Sequence, residues 1–257
     1  MKPKKYPKVE FKPASLEHII GLINNFLNPR KGEWNWSHFI LSKYPLLDKK
    51  LKNVKEISKR KKITRLFFRQ FLLKNKNLIK NKAVLFQKEW DKINDEYMKI
   101  LPLVLEINWP EKDKKMTAFV SLNPICPRYI KKRWFDIYYL SSVRYMKATA
   151  MHEILHFLYF EKWKKLFPKT SEKEFDSPYL VWKLSEMVPV AILWDRRIQE
   201  IFPHTPGVYA EYQKLKIKGK PLLDYIQEFY SNKRNFEDFL GKSWIFVKKH
   251  KKEINKA

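Results

Sequence analysis

The segment Thr149-Ala150-Met151-His152-Glu153-Ile154-Leu155-His156-Phe157-Leu158 constrains this chain more than any other. Apart from Glu153 and the two histidines it is uncharged, in a protein where 32% of residues are charged. A stretch so apolar on all sides reads as a helix buried all round. Buried there without partners, two imidazoles and a carboxylate would cost on the order of a few kcal/mol. At the i, i+4 spacing both imidazoles fall on one helix face, one turn apart, where they can close on a single Zn²⁺. Glu153 follows His152 directly, so it projects beside the ion, where it can take a proton from a coordinated water and pass it to a leaving amine.

A catalytic zinc takes three protein ligands and keeps a fourth position open. Glu186 is the expected third ligand. It is the one charged residue of the run Leu184 to Leu193 and lies 30 residues after His156. That separation lets one helix end, the chain turn, and a second helix pack against the first. A lone buried carboxylate is costly unless it is paired or coordinating. His204, within Phe202-Pro203-His204-Thr205-Pro206, is the alternative ligand, although its place in a turn suits a rim role better. His204 and Tyr209 are also candidate catalytic donors to a developing oxyanion, and Tyr179, Arg196 and Arg197 lie in comparable sequence positions. Asn123 to Arg128 reads as a rigid turn in which Cys126 is packed rather than ligating.

With His-Glu-x-x-His followed by a downstream glutamate, the chain resembles the zincin metallopeptidases, and within them the gluzincin branch. The resemblance spans about Met116 to Ile201 and rests on the one specific motif. It implies that His152, His156 and Glu186 are zinc ligands and Glu153 the catalytic base. It also implies an antiparallel edge strand ahead of the active-site helix that holds a peptide substrate extended; Met116–Leu122 and Trp134–Leu140 are both candidates. Two features depart from the family pattern: Val190 stands where many gluzincins carry an orienting Asp, and Pro189 is placed to kink the helix.

Apolar residues recurring at three and four predict a helix over Ser15 to Leu27, ended by Asn28-Pro29. Lys49 to Lys82 is the most basic segment, with Glu56 its single acid, and still carries an apolar helical stripe. A further helix is expected over Val84 to Leu101. The period then changes: Met116–Leu122 and Trp134–Leu140 read as strands, with Leu103–Trp109 a third. Helices follow over Val143 to Phe167, from Ser177-Pro178 towards Ile201, and over Pro206–Leu215, Pro221–Tyr230 and Phe236–Lys249, with a Lys-rich tail from Lys248.

The expected fold is therefore α+β and mostly helical: residues 1–100 form a basic helical extension, and residues 101–257 a zincin-like domain with a small antiparallel sheet ahead of the active-site helix. The 257 residues, 44% apolar, are enough for a packed core. A single cysteine excludes a disulfide framework and points to a reducing, cytoplasmic setting. No secretory signal and no membrane span is read in the sequence. The expected activity is zinc-dependent hydrolysis of a protein or peptide substrate. The net charge of +27 raises an alternative, a nucleic-acid-binding or regulatory protein with a structural or vestigial zinc site, and the Lys49–Lys82 segment is expected to bind nucleic acid or another polyanion weakly. Because the basic residues are spread along the chain, the charge also fits simple surface solvation.

Overall fold

The computed structural model describes residues 6–28 and 35–256; the basic leader before Tyr6, and Pro29 at the end of the first expected helix, lie outside them. In chain order the elements are β1 (Lys8–Pro13), α1 (Leu16–Leu27), α2 (Ser37–Lys43), α3 (Pro45–Leu51), α4 (Ile57–Asp91), α5 (Asn94–Leu105), β2 (Lys115–Ser121), β3 (Arg128–Tyr129), β4 (Trp134–Tyr138) and α6 (Val143–Leu166). They continue with α7 (Leu180–Leu193), α8 (Arg196–Gln199), α9 (Ala210–Lys214), β5 (Lys216–Ile217), β6 (Lys220–Pro221), α10 (Leu222–Ser231), α11 (Phe236–Lys249) and α12 (Lys251–Lys256). The chain is α+β and 63% helical, with a small mixed sheet. No helix among the described residues is long and apolar enough to cross a membrane.

Two compact units are built from interleaved stretches. Among the described residues, one comprises those of 8–28, 35–92 and 115–150; the other comprises those of 6–7, 93–114 and 151–256. The first unit holds the four-stranded sheet, in the order β1-β2-β4-β3. β1 pairs with β2 and β2 with β4, both parallel, while β3 pairs antiparallel with β4. The expected antiparallel sheet is thus corrected to a mixed one. Residues 122–133 are long enough to return the chain so that β4 runs the same way as β2, which takes about a dozen residues. The short β3 lies within that return. The antiparallel edge strand is therefore β3, and both strands expected for that role are interior.

Burial alternates along β1 and along β2 as far as Val120, whereas on β4 Asp136 is buried together with Phe135 and Ile137, so the opposite face is covered there as well. Val9, Phe11, Met116, Ala118, Val120, Phe135 and Ile137 are buried. Beneath them runs α4, which contains neither Gly nor Pro and so continues through Val84, where a new helix was expected. Its Phe68, Phe86 and Trp90 are fully buried, each contributing roughly 1.5–3 kcal/mol relative to exposure. The Phe86 and Trp90 rings lie 6.3 Å from Phe11. At the open edge of β1 the Gln87 side chain stands in for a further strand: Phe11 N–H donates to its Oε1 at 2.8 Å, and its Nε2 donates to the Val9 carbonyl at 3.0 Å.

The second unit is helical apart from the β5–β6 hairpin. Leu103–Trp109 is not the expected third strand. Tyr97, Met98, Leu101, Val104 and Leu105 are buried at helical spacing while Leu103 is 57% exposed, so α5 runs to Leu105 and stops at Glu106, whose φ of 52° is left-handed. The helix expected from Ser177-Pro178 begins three residues later, with Tyr179 in the N-cap position. It ends at Leu193, and Asp195 starts the separate α8. α9 begins at Ala210 rather than at Pro206. The Lys-rich tail adds a last helix, α12, anchored by the fully buried Ile254.

Candidate metal centre

The middle of α6 is closed off from solvent. Met151, Ile154, Leu155, Phe157 and Leu158 have no exposed surface, which is why this stretch could carry no charge other than the motif. His152 and His156 stand one turn apart with ring centroids 4.6 Å apart. Phe160 continues the column, its ring nearly parallel to His156 at 6.1 Å, and Phe175 packs on Phe160 at 4.6 Å. This stack orients the imidazoles towards the approaching helix α7.

α7 is buried from Val181 through Pro189, so a carboxylate in that stretch cannot point to bulk water. Glu186 is 3% exposed. Its Oε2 lies 3.4 Å from His152 Nε2, its Oε1 lies 3.7 Å from His156 Nε2, and the two Nε2 atoms are 2.9 Å apart. Bonds of about 2.0–2.1 Å to a tetrahedral zinc put donor atoms roughly 3.3–3.4 Å apart, and the three separations bracket that value. Two imidazoles, His156 buried and His152 half-buried, with a buried carboxylate are also the donor set of one class of catalytic zinc. The residues present therefore fit the metal. Among the described residues, His152, His156 and Glu186 form the one cluster able to hold it. Pro189 does not end α7, which runs on to Leu193.

Glu153 is buried, 7% exposed, and stays outside the donor cluster. His204 does not join the cluster either. It is buried in its own loop, where its Nδ1 faces the Phe202 carbonyl at 2.8 Å and its backbone pairs with the Gln199 amide. Tyr209 takes the N-cap position of α9, half-buried, its ring 5.9 Å from both Trp182 and Tyr212. Arg197 is engaged by Asp195, Arg196 is exposed beside Glu200, and Tyr179 is 40% exposed. Cys126 is half-buried and outside the cluster.

Sequence reasoning missed Tyr212. This phenol is fully buried, and burial raises its pKa; the nearby Glu186 and Glu211 carboxylates push it further up. Tyr212 therefore stays neutral in the electrostatic field of Glu186. No local signal marks it: Tyr212 is one of 13 tyrosines, and Tyr209, three residues before it, is in the extended N-cap position of α9. Lys183, one turn before Glu186, is also buried. Its ammonium donates to the Ile254 carbonyl at 2.9 Å, and burial lowers its pKa.

Compared with known proteins, the chain matches no family model, no curated protein and no solved structure.

Proposed function

We propose that this protein is a zinc-dependent metallopeptidase of the gluzincin type acting in the cytoplasm. The observation that carries the reading is the convergence of His152, His156 and Glu186 from two helices, with Glu153 adjacent but outside the donor set. A zinc ion bound there would supply Lewis acidity, polarising a scissile carbonyl and bringing the pKa of a water near 7. Glu153 accepts the proton of the attacking water and returns it to the leaving amine nitrogen. The burial of Glu153 supports that role by keeping the proton it carries from exchange with bulk water. Tyr209 is the better oxyanion donor of the two candidates. The His204 Nδ1 position is taken by the Phe202 carbonyl, whereas Tyr209 borders Tyr212 and, through it, the Glu186 side of the site.

The test is metal content by mass spectrometry on untagged protein, together with turnover of a peptide library. Wild type is expected to carry about one zinc per chain, lost in His152→Ala/His156→Ala and weakened in Glu186→Ala. Glu153→Gln should keep the metal and lose at least about 10²-fold in kcat. Absence of metal after zinc reconstitution, or a wild-type rate in Glu153→Gln, would overturn the reading.

A further inference from the structure

The face of the sheet turned away from α4 is closed over at Ser121 and Asp136, both fully buried, and beside them it carries a row of partly exposed aromatic rings. Position by position along the register, Lys12 stands beside Phe119, and Trp134 lies between Thr117 and Tyr129. A face needed only for solubility would carry polar side chains here. Instead Trp134 and Phe119 are half-buried and Tyr129 is 43% exposed. The Tyr129 and Trp134 rings lie within 12° of parallel at 5.7 Å, and the His18 imidazole continues the row, 4.9 Å from Trp134 and 4.3 Å from Phe119. His18 is fixed there by Asp136, which is fully buried and 2.6 Å away.

Lysines cap this aromatic row. The Lys12 ammonium lies 5.4 Å from the Phe119 centroid and the Lys132 ammonium 5.8 Å from that of Tyr129. Lys115 adds a third cation, 64% exposed, and Glu10 is the one exposed acid among these strand residues, shared between Lys12 and Lys115. Exposed ammonium–ring contacts and exposed ion pairs are each worth no more than about 1 kcal/mol, so a ligand can exchange them cheaply.

We infer that this face is a binding platform for single-stranded nucleic acid, with bases stacking on Phe119, Trp134 and Tyr129 and phosphates taken by Lys12, Lys115 and Lys132. An acidic peptide would use the cations and leave the rings idle, and a neutral sugar would use the rings and leave the cations idle. Single-stranded nucleic acid uses both, aromatic rings on which bases stack and positive charge that tracks its backbone. The exchange is self-consistent: a base displaces the ammonium from over the ring, and the released ammonium meets the neighbouring phosphate. Four strands at about 4.8 Å spacing give a platform roughly 14 Å across. Sheet faces of this kind accommodate about two or three stacked bases. The inference is independent of the metal centre and uses a surface other than the Lys49–Lys82 segment.

The test is fluorescence anisotropy of the full chain with a labelled oligothymidylate and with a duplex of equal length, at several salt concentrations. Trp134→Ala/Tyr129→Ala should weaken single-strand binding about tenfold or more, and Trp134→Phe should restore much of it. Lys12→Gln/Lys115→Gln/Lys132→Gln should flatten the salt dependence. Neutralising Lys61, Lys74 and Lys76 on α4 should change affinity less than about twofold. In case the double ring variant fails to fold, wild type is also crosslinked to an oligonucleotide carrying thiouridine and the adducts are mapped. Adducts on the segment holding Tyr129 and Trp134 support the platform. It is overturned by adducts confined to α4, by duplex binding as tight as single strand, by a folded ring variant of unchanged affinity, or by equal competition from polyglutamate.

Discussion

Asp195 receives hydrogen bonds from the Arg197 guanidinium and the Tyr230 hydroxyl, both at 2.7 Å to Oδ2, and its Oδ1 caps α8 through the Arg197 N–H. Burial works to raise its pKa, but these bonds and the Arg197 charge outweigh burial and hold it at about 2, against 3.8 unperturbed. A depressed carboxylate contributes stability above its unfolded pKa and loses it as pH falls through the folded one. Asp195→Asn should therefore cost about 1–3 kcal/mol at pH 7, measured by urea unfolding. The gap from wild type should hold down to about pH 5 and narrow below about pH 4; a gap unchanged at pH 3 would contradict the assignment. At this scale the sequence exposed what depends on local spacing. His152 and His156 are four apart, and Glu186 is alone in an apolar run. It did not expose Tyr230 as the partner of Asp195, or Tyr212 as the neighbour of Glu186, because one tyrosine among 13 carries no mark of the distant group it will meet.

The same division holds for whole elements. α1 was legible from the apolar period within the segment itself, and α6 from Ser141-Ser142 ahead of it and Pro168 behind it. β1 was hidden: Lys-Val-Glu-Phe-Lys-Pro alternates correctly, but it sits in a basic, Pro-containing leader and its partner is about a hundred residues away. Strand direction was illegible for a related reason, since it depends on the path of the return through residues 122–133 and not on the composition of β2 or β4. Gln87 makes this edge testable. Gln87→Ala removes both bonds to the open side of β1, and the expected loss is about 1–2 kcal/mol. Uncovering those groups offers a template for another chain. Light scattering should then show self-association rising with concentration, whereas a molar mass unchanged from wild type would mean that Lys8, Lys12 and Pro13 protect the edge without it.

Across the whole molecule, 54 Lys and Arg face 27 Asp and Glu, so the folded chain repels itself at low salt. Raising ionic strength from about 20 to about 200 mM shortens the screening length from roughly 20 Å to under 10 Å. Relief on the order of 1 kcal/mol would raise Tm by about 2–4 °C in a chain of this size. A Tm that stays flat across that range, by calorimetry, would mean the charges are neutralised locally by their own ion pairs. The pairing of Lys8 with Lys115 carries a further consequence, for synthesis rather than for the finished protein. At about 5–20 residues per second, the first strand emerges from the ribosome roughly 5–20 s before the second does. Throughout that interval Val9 and Phe11 have no sheet to enter, and the nascent chain presents them to any chaperone near the exit tunnel. The lysines and glutamate that alternate with them keep this waiting strand from pairing with its counterpart on a neighbouring ribosome.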